Sequence, residues 1–169
     1  MVVDTSLLSS CAKAASAAEA RYRIDRPIAP SRAGRVVALD AGAADVLART
    51  AQLEWANARF YVCESAGEDA ESVLLRGIDG GPATLADELA SASVVVMVAT
   101  SDAGADCAYA LGKACWERGV QTAGLVLGDG TDEGTAAAAA VAALRPHARV
   151  LLPKADESDV VELLSALRV

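Results

Sequence analysis

Residues 93–127 read SVVVMVATSDAGADCAYALGKACWERGVQTAGLVL, and the order of residue types in this stretch decides the fold. Residues 94–99 are apolar without alternation, as a strand buried on both faces of a parallel sheet requires. A loop carrying Asp102, Gly104 and Asp106 follows. Residues 105–118 have helical spacing, and 122–127 form a second apolar strand. A strand, loop, helix and strand of this length make a right-handed crossover, and open α/β sheets bind ligands outside the carboxyl ends of such strands.

Working outward, further strands are expected at 35–39, 59–64, 72–75 and 149–152. Helices are expected at 43–57, 84–92, 135–144 and from Asp156 or Ser158 to Leu167, with Thr84 as an N-cap and Asp87 three residues on. Alternation of this kind predicts an α/β protein, a three-layer Rossmann-like sandwich with a mainly parallel sheet of about six strands. Residues 1–34, with Pro27, Pro30 and Gly34 after an Ala-rich helix, read as an appendage and linker, and residues 35–169 as the α/β domain.

The chain of 169 residues is 53% hydrophobic with only 4% aromatics, so its core is expected to be one body of small-residue helices on a sheet. A net charge of −8 disfavours nucleic acid and anionic membranes as partners. No apolar run approaches the roughly 18 residues of a membrane span. The start lacks a basic segment before its short apolar stretch and carries Asp4, which argues against a secretory signal and for a cytoplasmic protein. Arg21, Arg23, Arg26, Arg32 and Arg35 are dispersed, and read as a solvated, mobile arm. Cys11, Cys63, Cys107 and Cys115 show neither a CxxC pair nor metal-ligand spacing, which argues against disulfide or zinc scaffolding. Cys107 and Cys115 share a helical face and read as small buried hydrophobes.

The strand ends bring Asp40, Glu64, Asp102, Asp129 and Lys154 toward the crevice of such a sheet. Four carboxylates against one amine make a poor receptor for a bare triphosphate, and suit ribose hydroxyls, a cation or a basic partner. Against the dinucleotide pattern GxGxxG, Asp40-Ala41-Gly42-Ala43-Ala44-Asp45 keeps only the middle glycine, while Glu64 lies about twenty residues on, where an acid would meet a ribose. The candidate ligand-binding residues are therefore Asp40, Gly42, Glu64, Ser101, Asp102, Gly104 and Asp129. No catalytic residue and no cofactor is named by the pattern. The acidic loop at 128–133 lacks the ligand spacing of a calcium site. His147 has no serine or cysteine elbow near it and reads as a surface or helix-terminal residue; Trp55 and Trp116 read as covers of core edges.

The chain from Arg35 onward resembles the nucleotide-binding half of the bacterial tubulin-like GTPases, the FtsZ family. Ala92-Ser93-Val94-Val95-Val96-Met97-Val98 looks like the strand before that family's glycine-rich signature, Gly119-Val120-Gln121-Thr122-Ala123-Gly124-Leu125-Val126 like the strand after it, and Leu151-Leu152-Pro153 falls at its sixth strand. The resemblance implies a nucleotide-binding fold, while the acidic surface and the arginine-bearing N-terminal arm point to homo-oligomer or partner contacts. The GGGTGTG signature is represented only by Ser101 to Asp106 with Gly104, and the first glycine-rich loop only by Asp40-Ala41-Gly42, so GTP hydrolysis does not carry over. A shorter stretch is similar to nucleoside deoxyribosyltransferase-like domains, with Ala110-Leu111-Gly112 where those carry Glu-Leu-Gly and the nucleophile. The expectation is a noncatalytic binding, regulatory or assembly protein with degenerate phosphate loops. The alternative is an enzyme or sensor for a nucleotide, nucleoside or other small ligand at the strand ends. The partner classes that follow are a nucleotide-like small molecule, and a second copy or another protein.

Overall fold

The computed structural model describes residues 31–128 and 137–169. The expected N-terminal helix, the acidic loop with Asp129 and the start of the helix expected at 135 lie outside the described residues. In chain order the elements are β1 (Gly34–Ala38), α1 (Ala41–Thr50), β2 (Ala58–Ser65), β3 (Leu74–Gly77), β4 (Pro82–Thr84), α2 (Leu85–Leu89) and β5 (Val94–Ala99). A 3-10 turn (Asp102–Gly104) leads into α3 (Ala105–Glu117), followed by β6 (Gln121–Leu127), α4 (Ala138–Leu144), β7 (Val150–Ala155) and α5 (Glu157–Leu167).

The strands form one seven-stranded sheet in the order β4-β3-β2-β1-β5-β6-β7. The pairs β1/β2, β1/β5, β5/β6 and β6/β7 are parallel. The pairs β2/β3 and β3/β4 are antiparallel, so the sheet has one strand more than expected and ends on one side in a hairpin. The cause is the Asp79-Gly80-Gly81 turn. Gly80 takes φ 94°, a left-handed conformation that favours glycine. The Gly77 amide reaches the Gly81 carbonyl at 2.7 Å, and Asp79 Oδ1 accepts the Gly81 amide at 3.1 Å. β3 alternates exposed and buried residues, the pattern of a one-sided antiparallel strand, whereas all six residues of β5 are buried.

Successive residues of β1 and β5 point to opposite faces and feed two hydrophobic clusters. Val37, Leu39, Val95 and Met97 pack with Ala108, Leu111 and Cys115 of α3 and with Ala140 and Leu144 of α4. Val36, Ala38, Val94, Val96 and Val98 pack with Val46 and Leu47 of α1 and with Val160 and Leu164 of α5. Alanines at Ala108, Ala110 and Ala114 let α3 lie close to the sheet.

α1 stops at Thr50, short of the expected residue 57, because its last turn is closed by side chains. The Thr50 hydroxyl donates to the Val46 carbonyl at 3.0 Å, and Trp55 Nε1 donates to the Thr50 carbonyl at 2.9 Å. That bond satisfies an end carbonyl of the helix and seats Trp55 against Phe60, while Leu53, expected to face inward, is half exposed. Arg35 is not part of a solvated arm. It is only 3% exposed, with Nε at 2.6 Å from Glu88 Oε2, Nη2 at 2.7 Å from Ser91 Oγ and Nη1 at 3.0 Å from the Gly34 carbonyl. Arg32 likewise reaches Gln121 Oε1 at 3.0 Å.

The two edge strands each contain a proline. β4 opens on Pro82, and β7 carries Pro153 where its register against β6 shifts between Leu125 and Leu127. Among the described residues no helix is long and apolar enough to cross a membrane.

Candidate functional site

β1 leads through α1 to β2 on one side of the sheet, while β5 leads through α3 to β6 on the other. The point where the chain turns outward in opposite directions is therefore between β1 and β5, and the crevice at their carboxyl ends is where such a sheet places a ligand. Five of the expected site residues, Asp40, Gly42, Ser101, Asp102 and Gly104, lie in the two segments that follow β1 and β5 and meet there, Gly42 in the first turn of α1 and Asp102 and Gly104 in the 3-10 turn.

Asp40 is the N-cap of α1, in extended conformation at φ −146° and ψ 174°. Its Oδ1 accepts the Ala43 amide at 2.9 Å and the Thr100 hydroxyl at 2.6 Å. Its Oδ2 accepts the Thr100 amide at 2.7 Å and the Ser101 amide at 3.0 Å. Burial pushes the Asp40 carboxyl up, but the Thr100 hydroxyl and the amides of Ala43, Thr100 and Ser101 outweigh it and hold the carboxyl below its ordinary value. The carboxylate stays charged and is fully engaged by the protein itself. These are the donors a phosphate would use at a helix start and loop.

The two glycines of the site serve close packing. A Cβ on Gly42 would collide with the Thr100 side chain, and one on Gly104 would lie 2.6 Å from Leu39 Cβ and 3.0 Å from the Leu39 carbonyl oxygen. Both glycines thus let the β1 and β5 loops close on one another. Asp102 is exposed but also engaged: its Oδ1 accepts the Ala139 amide at 2.8 Å and the Ala140 amide at 3.3 Å, and so caps α4, whose own N-cap Ala137 has no side chain for the task. Glu64 stands apart from these residues. It pairs with Arg76 Nε of β3 at 2.6 Å, a contact between two half-exposed side chains on the antiparallel side of the sheet.

The sequence reading missed Thr100, the third member of this arrangement; an aspartate one residue before a helix was the available signal that Asp40 would be an N-cap. It also placed Trp116 at a core edge, whereas Trp116 is 72% exposed on the outer side of α3, seven residues from Tyr109 at 56%. Helical rotation explains the error, because Cys115 occupies the buried face and its successor turns outward. His147 does follow the end of α4. Its ring meets Tyr109 edge-on at 5.7 Å, lies against Gly112, and buries an Nε2 that has no hydrogen-bond partner among the described residues. Lys154 is exposed near the end of β7.

The cysteines also depart from the expectation. Cys63 of β2 and Cys107 in the first turn of α3 are joined in a disulfide across a separation of 44 residues. Spacing along the chain carried no sign of this pair, because only the sheet brings the end of β2 to the start of α3. Cys115 is free and buried, and burial pushes its thiol up to about 12 against a small opposing pull from Arg118. Among the described residues no group of three or more His, Cys, Asp or Glu is placed to hold a metal ion.

Compared with known proteins, the chain matches no family model, no curated protein and no solved structure.

Proposed function

We propose that the chain is a noncatalytic binding, regulatory or assembly protein on a Rossmann-like, tubulin-like scaffold, with its phosphate position at the β1/β5 loops taken by its own carboxylate. The observation that carries this reading is the set of four hydrogen bonds into Asp40. A phosphate entering the crevice meets a negative charge in a partly buried place and competes with an acceptor tethered to the same backbone. Asp102 spends its acceptor on α4 in the same way, so the second acid of the crevice also serves the fold. A binding role gains support from Tyr109 and Trp116, two exposed aromatics on one side of α3. Residues of this kind dominate the energetics of protein interfaces.

The test is a thermal-shift panel of nucleotides, nucleosides and NAD, each with and without magnesium. A ligand present at 100 times its dissociation constant would stabilise the protein by about 2.7 kcal/mol. No shift is expected from any phosphate-bearing member. GTP turnover by the chain would overturn the reading, and a shift from a nucleoside alone would transfer the site to a small-molecule sensor.

A further inference from the structure

The two faces of the sheet are covered unequally. Among the described residues α2, α3 and α4 pack on one face, and α1 and α5 on the other, where they meet Val36, Val96 and Leu125 of the central strands. No residue of β3 or β4 belongs to that second cluster. Ala58, Phe60 and Val62 of β2, and Ile78 just past β3, pack against its margin and stay half-buried. Alternation adds Leu74 and Arg76 to the same face, because Leu75 between them belongs to the first cluster. The Ile78 amide donates to the Phe60 carbonyl at 3.0 Å, and Arg76 stands opposite Val62, so these side chains form one patch along the β2/β3 ladder. Leu74 is 48% exposed. Beside the patch a groove of about 760 Å³ is lined by Ala48 and Ala51 of α1 and by Ala58, Phe60 and Ile78. A contiguous apolar surface with polar groups at its rim marks a contact site.

The charges of this face are balanced. Glu64 Oε1 and Arg76 Nε lie 2.6 Å apart across the ladder, and each side chain is 46% exposed. At the groove Asp79 accepts the Gly81 amide, while Arg59 turns to Glu88 of α2 on the other face at 3.6 Å. Glu64 and Arg76 are therefore the charges that the patch offers a partner. The chain as a whole carries −8, so an average stretch of its surface repels a second copy, and a patch with one charge of each sign does not. A surface shaped for a strongly charged partner presents a single sign. One acid beside one base is instead completed by a two-fold copy of itself, in which residue i meets j and j meets i.

Taking the assembly branch of the function proposed above, on which this inference rests, we propose that the exposed β2/β3 face joins two copies of the chain about a two-fold axis. Phe60, Val62, Leu74 and Ile78 form the apolar contact, and Arg76 of each copy meets Glu64 of the other. The intramolecular pair persists in the contact, because a carboxylate has acceptor sites for two guanidinium groups. Apolar burial supplies the affinity, and the crossed ion pairs fix the register.

The test is analytical ultracentrifugation of the full chain from micromolar to near-millimolar concentration. The wild type is expected to run as a reversible monomer–dimer mixture. Leu74→Asp, Glu64→Arg and Arg76→Glu should each weaken the dimer at least tenfold, with circular dichroism confirming that the fold is kept. An equimolar mixture of Glu64→Arg and Arg76→Glu should recover dimers, because one copy then carries two positive charges and the other two negative ones. Trp116→Ala, on the α3 side of the sheet, should dimerise as the wild type does. A wild type that stays monomeric, growth beyond dimers, dimers indifferent to the three face variants, or a mixture no better than its parts would each overturn the proposal. Such a result leaves the reading of the Asp40 crevice intact, since that reading fails on GTP turnover instead.

Discussion

Replacing Asp40 by alanine removes the acceptor on which two loops depend, and the cost can be worked from its partners. Loss of the cap on the Ala43 amide costs about 1 kcal/mol. The Thr100 and Ser101 amides lose a charged acceptor in a partly buried place, which adds about 1–2 kcal/mol for each. The sum of about 3–5 kcal/mol corresponds to a drop of roughly 10 °C in Tm for a chain of this size. Calorimetry of wild type, Asp40→Ala and Asp40→Asn at neutral pH measures it, with the asparagine variant falling between the others because it keeps one acceptor oxygen.

The same variants report whether the emptied position is an anion site. Sulfate stabilises most proteins by exclusion, so the informative quantity is the gain in sulfate over chloride at equal ionic strength. That gain should be larger for Asp40→Ala than for wild type, since the freed amides can accept an anion. Acid supplies a third reading. The folded Asp40 carboxyl titrates below its ordinary value of 3.8, so its stabilisation is complete above that pH and is lost as pH falls through the folded value. The gap between wild type and Asp40→Asn should therefore narrow as the pH drops below 3.8. An Asp40→Ala protein within about 0.5 kcal/mol of wild type would refute the argument, because only surface substitutions without special partners are that mild. Equal sulfate gains in both proteins would refute the anion reading alone.

Two further substitutions test the packing at the site and the buried ion pair at the opposite, amino end of β1. Gly104→Ala should cost about 1–3 kcal/mol in urea denaturation, because its methyl group meets Leu39 at 2.6 Å and the backbone there has little room to move. Glu88→Ala should cost about 3–5 kcal/mol by the same measurement, since it leaves the buried Arg35 guanidinium without its counter-charge, with only Ser91 Oγ and the Gly34 carbonyl as partners. Arg35→Met combined with Glu88→Leu should recover most of that loss.

The parallel half of the sheet was legible because its strands must be apolar on both faces, and residues 94–99 carry that requirement without interruption. The helix starts at Thr84 and Asp156 were legible for a local reason: the capping side chain and the amide it accepts are three residues apart. The hairpin was harder, since a four-residue strand with two exposed side chains is short of period, although Asp79-Gly80-Gly81 carried its turn. The meeting of the loops after β1 and β5 was legible, and the hydrogen bonds between them were not. Asp40 and Thr100 are sixty residues apart in the chain, and nothing local reveals that one hydrogen-bonds the other. The disulfide was hidden for the same reason.

The two prolines at the sheet's margins bear on how this chain can associate. An edge strand recruits a partner through its row of free amides and carbonyls, and Pro82 and Pro153 each delete an amide from such a row. β4 adds only three residues of edge, and β7 is bent out of register where its proline falls. A further strand would find a broken ladder on either side. Among the described residues, growth of a continuous sheet from either edge is thereby discouraged, and the binding role proposed above is to be sought on side-chain surfaces such as the outer face of α3, where specificity is set by shape and charge instead of by backbone.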